Sequence, residues 1–165
     1  MKNFCIVGPN NKEFWISRSI AVIVALFAKD KNSNKYVLAV QRGKGTPDPE
    51  FVGKYCLPGG YLDYDETVEQ AAVRELCEET GLKASEFQLK LVSVNSDPTK
   101  DKRQNVTFRY LIKAVNDIYT LQKKLTPVLS EKDEVMNIKF IKVKDIDKYE
   151  WAFNHNELIK EFDRL

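Results

Sequence analysis

The sequence predicts an α/β protein in which helices cover both faces of one mixed β-sheet, and three observations lead there. Segments of strand composition fill the early part of the chain and recur after residue 86. One clear helix lies in the middle and another at the end. Between them no regular strand–helix–strand alternation appears, which argues against a wholly parallel sheet.

Taken in order, Phe4–Val7 and Glu13–Ile16 flank the turn-rich Gly8-Pro9-Asn10-Asn11 and read as a hairpin at the entrance of the domain. Residues 19–28 and 35–41 are rich in Val, Ile, Leu and Tyr, and a polar turn at 29–34 joins them as two core strands. Residues 43–53, with Pro47 and Pro49, read as a loop, and a mobile rim is the expectation for Arg42 to Thr46. Residues 67–80 form the clearest helix: Thr67 and Gln70 make a capping-box pattern, and Gly81 sits where a left-handed cap belongs. Strands are expected at 87–95, 106–115 and 136–143, and a terminal helix follows Asn154, with Glu157 three residues on as in a capping box.

With 43% hydrophobic and 30% charged residues, 165 residues suit a single domain, 1–165, of which 1–18 is the hairpin extension. Lys plus Arg number 26 against 24 Asp plus Glu, so a formal charge of +2 provides no general field for nucleic acid or anionic lipid. The longest apolar stretch, 20–28, is too short to span a bilayer, and no targeting segment is legible. Three cysteines and one histidine at scattered positions support neither a disulfide framework nor a zinc site, and a reducing cytoplasm is the simplest location.

On a helical wheel of about 100° per residue, Glu75, Glu78 and Glu79 fall within roughly one 100° arc. Val73, Leu76, Cys77 and Thr80 lie on the adjoining side as the expected core contact, while the small Ala71 and Ala72 leave room beside the glutamates. Three carboxylates so close repel one another and need a compensating charge. Mg²⁺, or Mn²⁺ in its place, fits an all-oxygen cluster better than zinc does, and such ions bind one or two carboxylates together with substrate phosphates. Arg74, beside the cluster, could orient Glu75.

Taken alone, Glu-x-x-Glu-Glu is an ordinary solvated helix face. The wider pattern overturns that. Residues 60–82, Gly-Tyr-Leu-Asp-Tyr-Asp-Glu-Thr-Val-Glu-Gln-Ala-Ala-Val-Arg-Glu-Leu-Cys-Glu-Glu-Thr-Gly-Leu, follow G-x5-E-x7-R-E-U-x-E-E-x-G-U without a mismatch. Seven fixed positions at background frequencies near about 6% make chance agreement on the order of 10⁻⁹ per register. The stretch resembles the box of the Nudix hydrolase family, and its approach, Tyr55-Cys56-Leu57-Pro58-Gly59, resembles the family's W-x-L-P-G lead-in with Tyr55 where tryptophan is common.

The resemblance implies an α/β/α sandwich and cleavage of a phosphoanhydride. It also implies that Glu75, Glu78 and Glu79 bind metal with the Gly59 carbonyl, that Arg74 positions Glu75, and that Glu66 supports the loop–helix junction. Gly60 and Gly81 are structural positions of the same box. In such enzymes a box glutamate or an acid on a remote loop deprotonates the attacking water; among Glu131, Asp133 and Glu134 the reading selects Glu134.

Two outer segments resemble ADP-ribose-type members. Residues 96–110 look like S-x-P-x-R-D-x-R…V-T-x-x-Y, with Lys100 for the first arginine, and 151–159 look like L-A-F-D-H-x-E-I-L, with Asn154 for aspartate. The substrate implied is ADP-ribose or a related nucleotide sugar. Arg103, Lys100 and Arg42 could meet its diphosphate, and Tyr55, Phe51 or Tyr110 could stack on its base. His155 reads as a surface residue of the terminal helix and is left out of the site.

Two rivals remain: a house-cleaning pyrophosphatase acting on damaged nucleoside triphosphates such as 8-oxo-dGTP, and a non-catalytic nucleotide sensor. Nudix-like regulators carry a winged-helix domain after the Nudix domain, and the roughly 20 residues beyond Asp145 are expected to be too few for one. Messenger-RNA decapping would need a basic run that is absent. The amino-terminal hairpin could pair across a two-fold axis in a homodimer.

Overall fold

A computed structural model describes residues 4–99, 105–126 and 133–165. Its order is β1 (Phe4–Val7), β2 (Glu13–Ile16), β3 (Ile20–Lys29), β4 (Lys35–Arg42), β5 (Tyr55–Cys56), α1 (Val68–Thr80), β6 (Lys90–Asn95), β7 (Val106–Lys113), α2 (Ile118–Gln122), β8 (Val135–Lys142) and α3 (His155–Asp163). β1 and β2 pair with each other as a separate hairpin, Phe4 opposite Ile16. Strands β3 to β8 form one mixed sheet in which β3 and β7 run parallel while the β3–β4, β4–β5, β4–β8 and β6–β7 pairs are antiparallel.

Alternation along β3 and β4 divides the core, because successive side chains point to opposite faces. Val22, Val24, Leu26 and Leu38 meet Ala71, Ala72 and Leu76 of α1, joined by Ile118 and Leu121 of α2. Ala25, Phe27, Val37 and Ala39 meet Leu158, Ile159 and Phe162 of α3. Each large side chain buried this way contributes about 2 kcal/mol relative to exposure, so both helical layers are held by apolar contact and the expected α/β/α sandwich is realised.

Ala71 and Ala72 correct one expectation. Both are fully buried in the core against the sheet, so their small size serves the close packing of α1 on β3 and they do not line an open cleft. Val73, expected in the core, is 41% exposed; the buried stripe runs instead through Ala72, Leu76 and Thr80, four residues apart. β5 and α2 are too short for a clear periodic signature and are additions from the structure.

The split between β3 and β4 positions the site. They pair only at Phe27–Val37, Ala28–Tyr36 and Lys29–Lys35, then part. Into the fork runs the segment after β5, where Val24 N–H donates to the Pro58 carbonyl and Val22 N–H to the Gly60 carbonyl, each at 2.8 Å. The loop after β4 is likewise tied down. Gly43 N–H donates to the Glu134 carbonyl at 2.6 Å and Gly45 N–H to the Asp133 carbonyl at 2.7 Å, so the rim expected to be mobile is bonded to the entrance of β8.

Candidate active site

Both ends of α1 are capped, which fixes where its side chains emerge. The Thr67 hydroxyl accepts from Gln70 N–H at 3.2 Å while Thr67 N–H donates to the Gln70 side chain at 2.7 Å, the reciprocal box expected from sequence. At the other end Gly81 adopts φ 75° and its N–H reaches the Cys77 carbonyl at 2.7 Å. A side chain there would be strained and would collide with the Thr126 carbonyl.

Arg74 gathers the acids at the exposed side of this helix. Its guanidinium donates to Glu66 at 2.8 and 3.1 Å, to Glu75 at 2.8 Å, to Glu78 at 3.0 Å and to the Tyr61 carbonyl at 3.0 Å. A planar fork with five donors suits this multiple clamp, and a lysine ammonium could not reproduce it. The Arg74 hydrogen bonds, with one from Asp63 N–H, hold the Glu66 carboxyl below its usual range, and Glu66 together with the other acids raises Arg74.

The remaining acid reaches the turn in the sheet fork. Glu79 Oε2 accepts from Gly59 N–H at 3.0 Å across 20 residues of chain. Glu75 lies so close to Gly60 that a β-carbon there would overlap its carboxylate, and a β-carbon on Gly59, at φ 154°, would strike the Val22 carbonyl. Both glycines are therefore required by close approach. Pro58 and Gly60 have their carbonyls bonded to β3, whereas no donor among the described residues reaches the Gly59 carbonyl.

Glu66, Arg74, Glu75, Glu78, Glu79, Gly59 and Gly60 are thus brought together as expected. Their donor atoms are all oxygens apart from Arg74, which fits a hard divalent cation. Among the described residues no three acidic, histidine or cysteine side chains converge on one point. The reason is visible: Arg74 draws Glu75 and Glu78 to itself, while Glu79 turns to Gly59 N–H. Glu78, with 34% of its side chain exposed, is the arm that would have to leave Arg74 to complete a cation site.

Other expected residues are dispersed. Arg42 is largely buried, 3.3 Å from the Asp48 carboxylate and with its guanidinium 5.0 Å from the Phe153 ring centroid, a fixed cation rather than a loop residue in solvent. Tyr55 is enclosed: its ring meets Tyr149 and Trp151, the Lys139 ammonium lies 4.7 Å from its centroid, and it belongs to the core under α3. Tyr110 is also core and donates to Glu69 at 3.0 Å, so of the three aromatics considered for a base only Phe51 keeps partial exposure. Glu134 is exposed, at the turn tied to Gly43. Lys100, Arg103 and Glu131 lie outside the described residues.

His155 is the residue that the sequence reading misplaced. It is 6% exposed, and its Nδ1 accepts from Leu57 N–H at 2.9 Å. Burial, with the nearby charges of Arg109 and Arg42, pushes the imidazole down to about 3, so it is neutral. A signal was present: His155, Leu158, Ile159 and Phe162 occupy one helical stripe, and all four are buried. Asn154 also departs from expectation. Its left-handed backbone, φ 57°, is not the extended conformation a side-chain cap needs, and Glu157 pairs with Lys160 at 2.9 Å instead of closing a capping box.

Comparison with known proteins adds independent findings. A family model described as NUDIX domain matches residues 17–162. The chain is 32% identical over 128 residues to an ADP-ribose pyrophosphatase of Methanocaldococcus jannaschii, covering 78% of this chain and 66% of that relative, just under two thirds of its length. Among solved structures, the NUDIX domain of Shewanella oneidensis NrtR complexed with ADP ribose superposes with a TM-score of 0.72 at 24% identity, covering 90% of this chain and 88% of that one. NrtR from the same organism complexed with a 27mer DNA matches at 27% identity and a TM-score of 0.64, covering 86% of this chain and 59% of that one.

Proposed function

The chain belongs to the NUDIX family, and from that premise we propose that it is a Mg²⁺-dependent hydrolase cleaving the diphosphate of ADP-ribose or a related nucleotide sugar. One observation carries the reading. The capped helix α1 and the turn in the sheet fork meet at Glu79 and Gly59, placing the acids of the box beside a carbonyl that no described donor reaches. The relative named as an ADP-ribose pyrophosphatase and the NrtR domain bound to ADP ribose support the choice of substrate class.

In this reading Glu75, Glu78, Glu79 and the Gly59 carbonyl would hold the divalent ions, with Mn²⁺ an alternative to Mg²⁺. Bound there, such ions supply charge neutralisation of the diphosphate and acidify a water. Arg74 keeps Glu75 oriented and, through Glu66, ties α1 to the loop that precedes it. Glu134 is the proposed proton acceptor on a remote loop, with a box glutamate as the alternative. Lys100 and Arg103 would meet the diphosphate together with Arg42, and Phe51, the partly exposed one of the three aromatics, would stack on the base.

Other assignments follow as proposals. The hairpin β1–β2 exposes Phe4, Ile6, Val7 and Ile16, which suits pairing with a second copy of the chain. No helix among the described residues is long and apolar enough to cross a membrane.

The test is product analysis of a nucleotide panel with Mg²⁺ or Mn²⁺. AMP released from ADP-ribose supports the proposal. Pyrophosphate released from a nucleoside triphosphate, with ADP-ribose untouched, would replace it by the house-cleaning reading. ADP-ribose bound without turnover would favour a sensor.

A further inference from the structure

His155 stands behind the proposed cation site, on the opposite side of the Leu57–Gly60 turn from the glutamates. Leu57 is 1% exposed, so its N–H has no access to water and depends on the imidazole for a partner. The next residue, Pro58, has no N–H and restricts the backbone of the residue before it. Gly59 N–H, the next donor along the chain, goes to Glu79. From the sheet side, Val24 and Val22 hold the Pro58 and Gly60 carbonyls. The turn is therefore clamped from two directions, by β3 and by the start of α3, and the Gly59 carbonyl lies between the two that β3 holds.

We propose that His155 is a positioning residue for the cation site: by accepting the Leu57 N–H it anchors the start of the Leu57–Gly60 turn, and so sets where Gly59 presents its N–H to Glu79 and its carbonyl to the metal. This rests on reading the box as a divalent-cation site. The bond joins segments 98 residues apart, so the terminal helix, which supplies no metal ligand, controls the geometry of the ligands. Only a neutral ring with its proton on Nε2 can accept at Nδ1. Burial among Arg42 and Arg109 keeps the ring in that charge state.

Two substitutions separate positioning from packing. His155→Asn places an amide oxygen at the same distance along the side chain as Nδ1, whereas His155→Leu fills similar volume without an acceptor. In the full chain, without nucleotide, Mn²⁺ affinity is read by electron paramagnetic resonance. Amide hydrogen exchange at Leu57 and Gly59 is read in the metal-free protein. His155→Leu should speed exchange at both amides and weaken Mn²⁺ binding about tenfold or more, the usual range for groups that orient ligands. With substrate, the half-saturating Mg²⁺ concentration should rise by a similar factor, more than kcat falls. His155→Asn should recover most of each effect.

A folded His155→Leu protein with native Mn²⁺ affinity would overturn the proposal, as would an Asn variant no better than Leu. If His155→Leu does not fold, His155→Gln replaces it. The Gln oxygen sits one bond too far out, so Gln should bind Mn²⁺ more weakly than Asn, and equal affinities would overturn the idea. Failure of the native chain itself to bind Mn²⁺ would sink the cation site and this inference together, whereas native binding with unaffected variants sinks the inference alone.

Discussion

Lowering the pH from 7 to 5 should destabilise the native chain by about 2 kcal/mol, and His155 is the reason. Its imidazole sits at about 3 in the fold against an ordinary value of 6.5. A depressed histidine binds its proton in the unfolded chain first, so stability is fully present above the ordinary value and is lost as pH falls below it, until the folded group also protonates. The two-state linkage relation with these values gives a loss of about 2 kcal/mol between pH 7 and pH 5, and about 3 kcal/mol by pH 4. Against a typical domain stability of about 5–15 kcal/mol, the change is large enough to measure. The interval is clean because this is the single histidine of the chain, and no other side chain has an ordinary value between 5 and 7. Urea unfolding at fixed ionic strength, followed by tryptophan fluorescence, reads it as a shift in midpoint at constant slope. His155→Asn should be less stable at pH 7 yet lose almost nothing more by pH 5. Equal stability of the native chain at both pH values, or an undiminished pH dependence in the variant, would refute the claim that a buried neutral imidazole holds Leu57.

The remaining predictions concern the proposed site. Glu79→Gln should lower kcat by roughly a hundredfold or more with an unchanged circular dichroism spectrum, whereas Glu134→Gln should only slow turnover; full activity of the Glu79 variant in added Mg²⁺ would remove Glu79 from the metal site. Gly60→Ala should displace the Glu75 carboxylate and cut kcat with little change in unfolding midpoint, because the clash is with the end of a side chain. Gly59→Ala meets the Val22 backbone at a positive φ and should cost stability itself, about 1–3 kcal/mol or more by chemical denaturation. Arg74→Lys should weaken Mg²⁺ saturation of activity, since one ammonium cannot hold Glu66 and orient Glu75 at once; native metal dependence in that variant would count against the clamp.

The family, the sandwich and the membership of the acidic cluster were legible in the chain because each depends on local rules. Capping residues at 67, 70 and 81 mark the limits of α1, a Val-, Ile-, Leu- and Tyr-rich composition marks β3 and β4, and helical spacing puts Glu75, Glu78 and Glu79 on one side. Tertiary contact decided what those rules do not address. It made Ala71 and Ala72 the close approach of helix to sheet, buried Tyr55 under α3, bonded the Gly43 turn to β8, and turned a lone histidine of the last helix toward Leu57. Helical and strand periodicity report which face a residue shares with its neighbours in sequence. They carry no information about which distant segment will lie against that face, and the role of His155 depends on a partner 98 residues away.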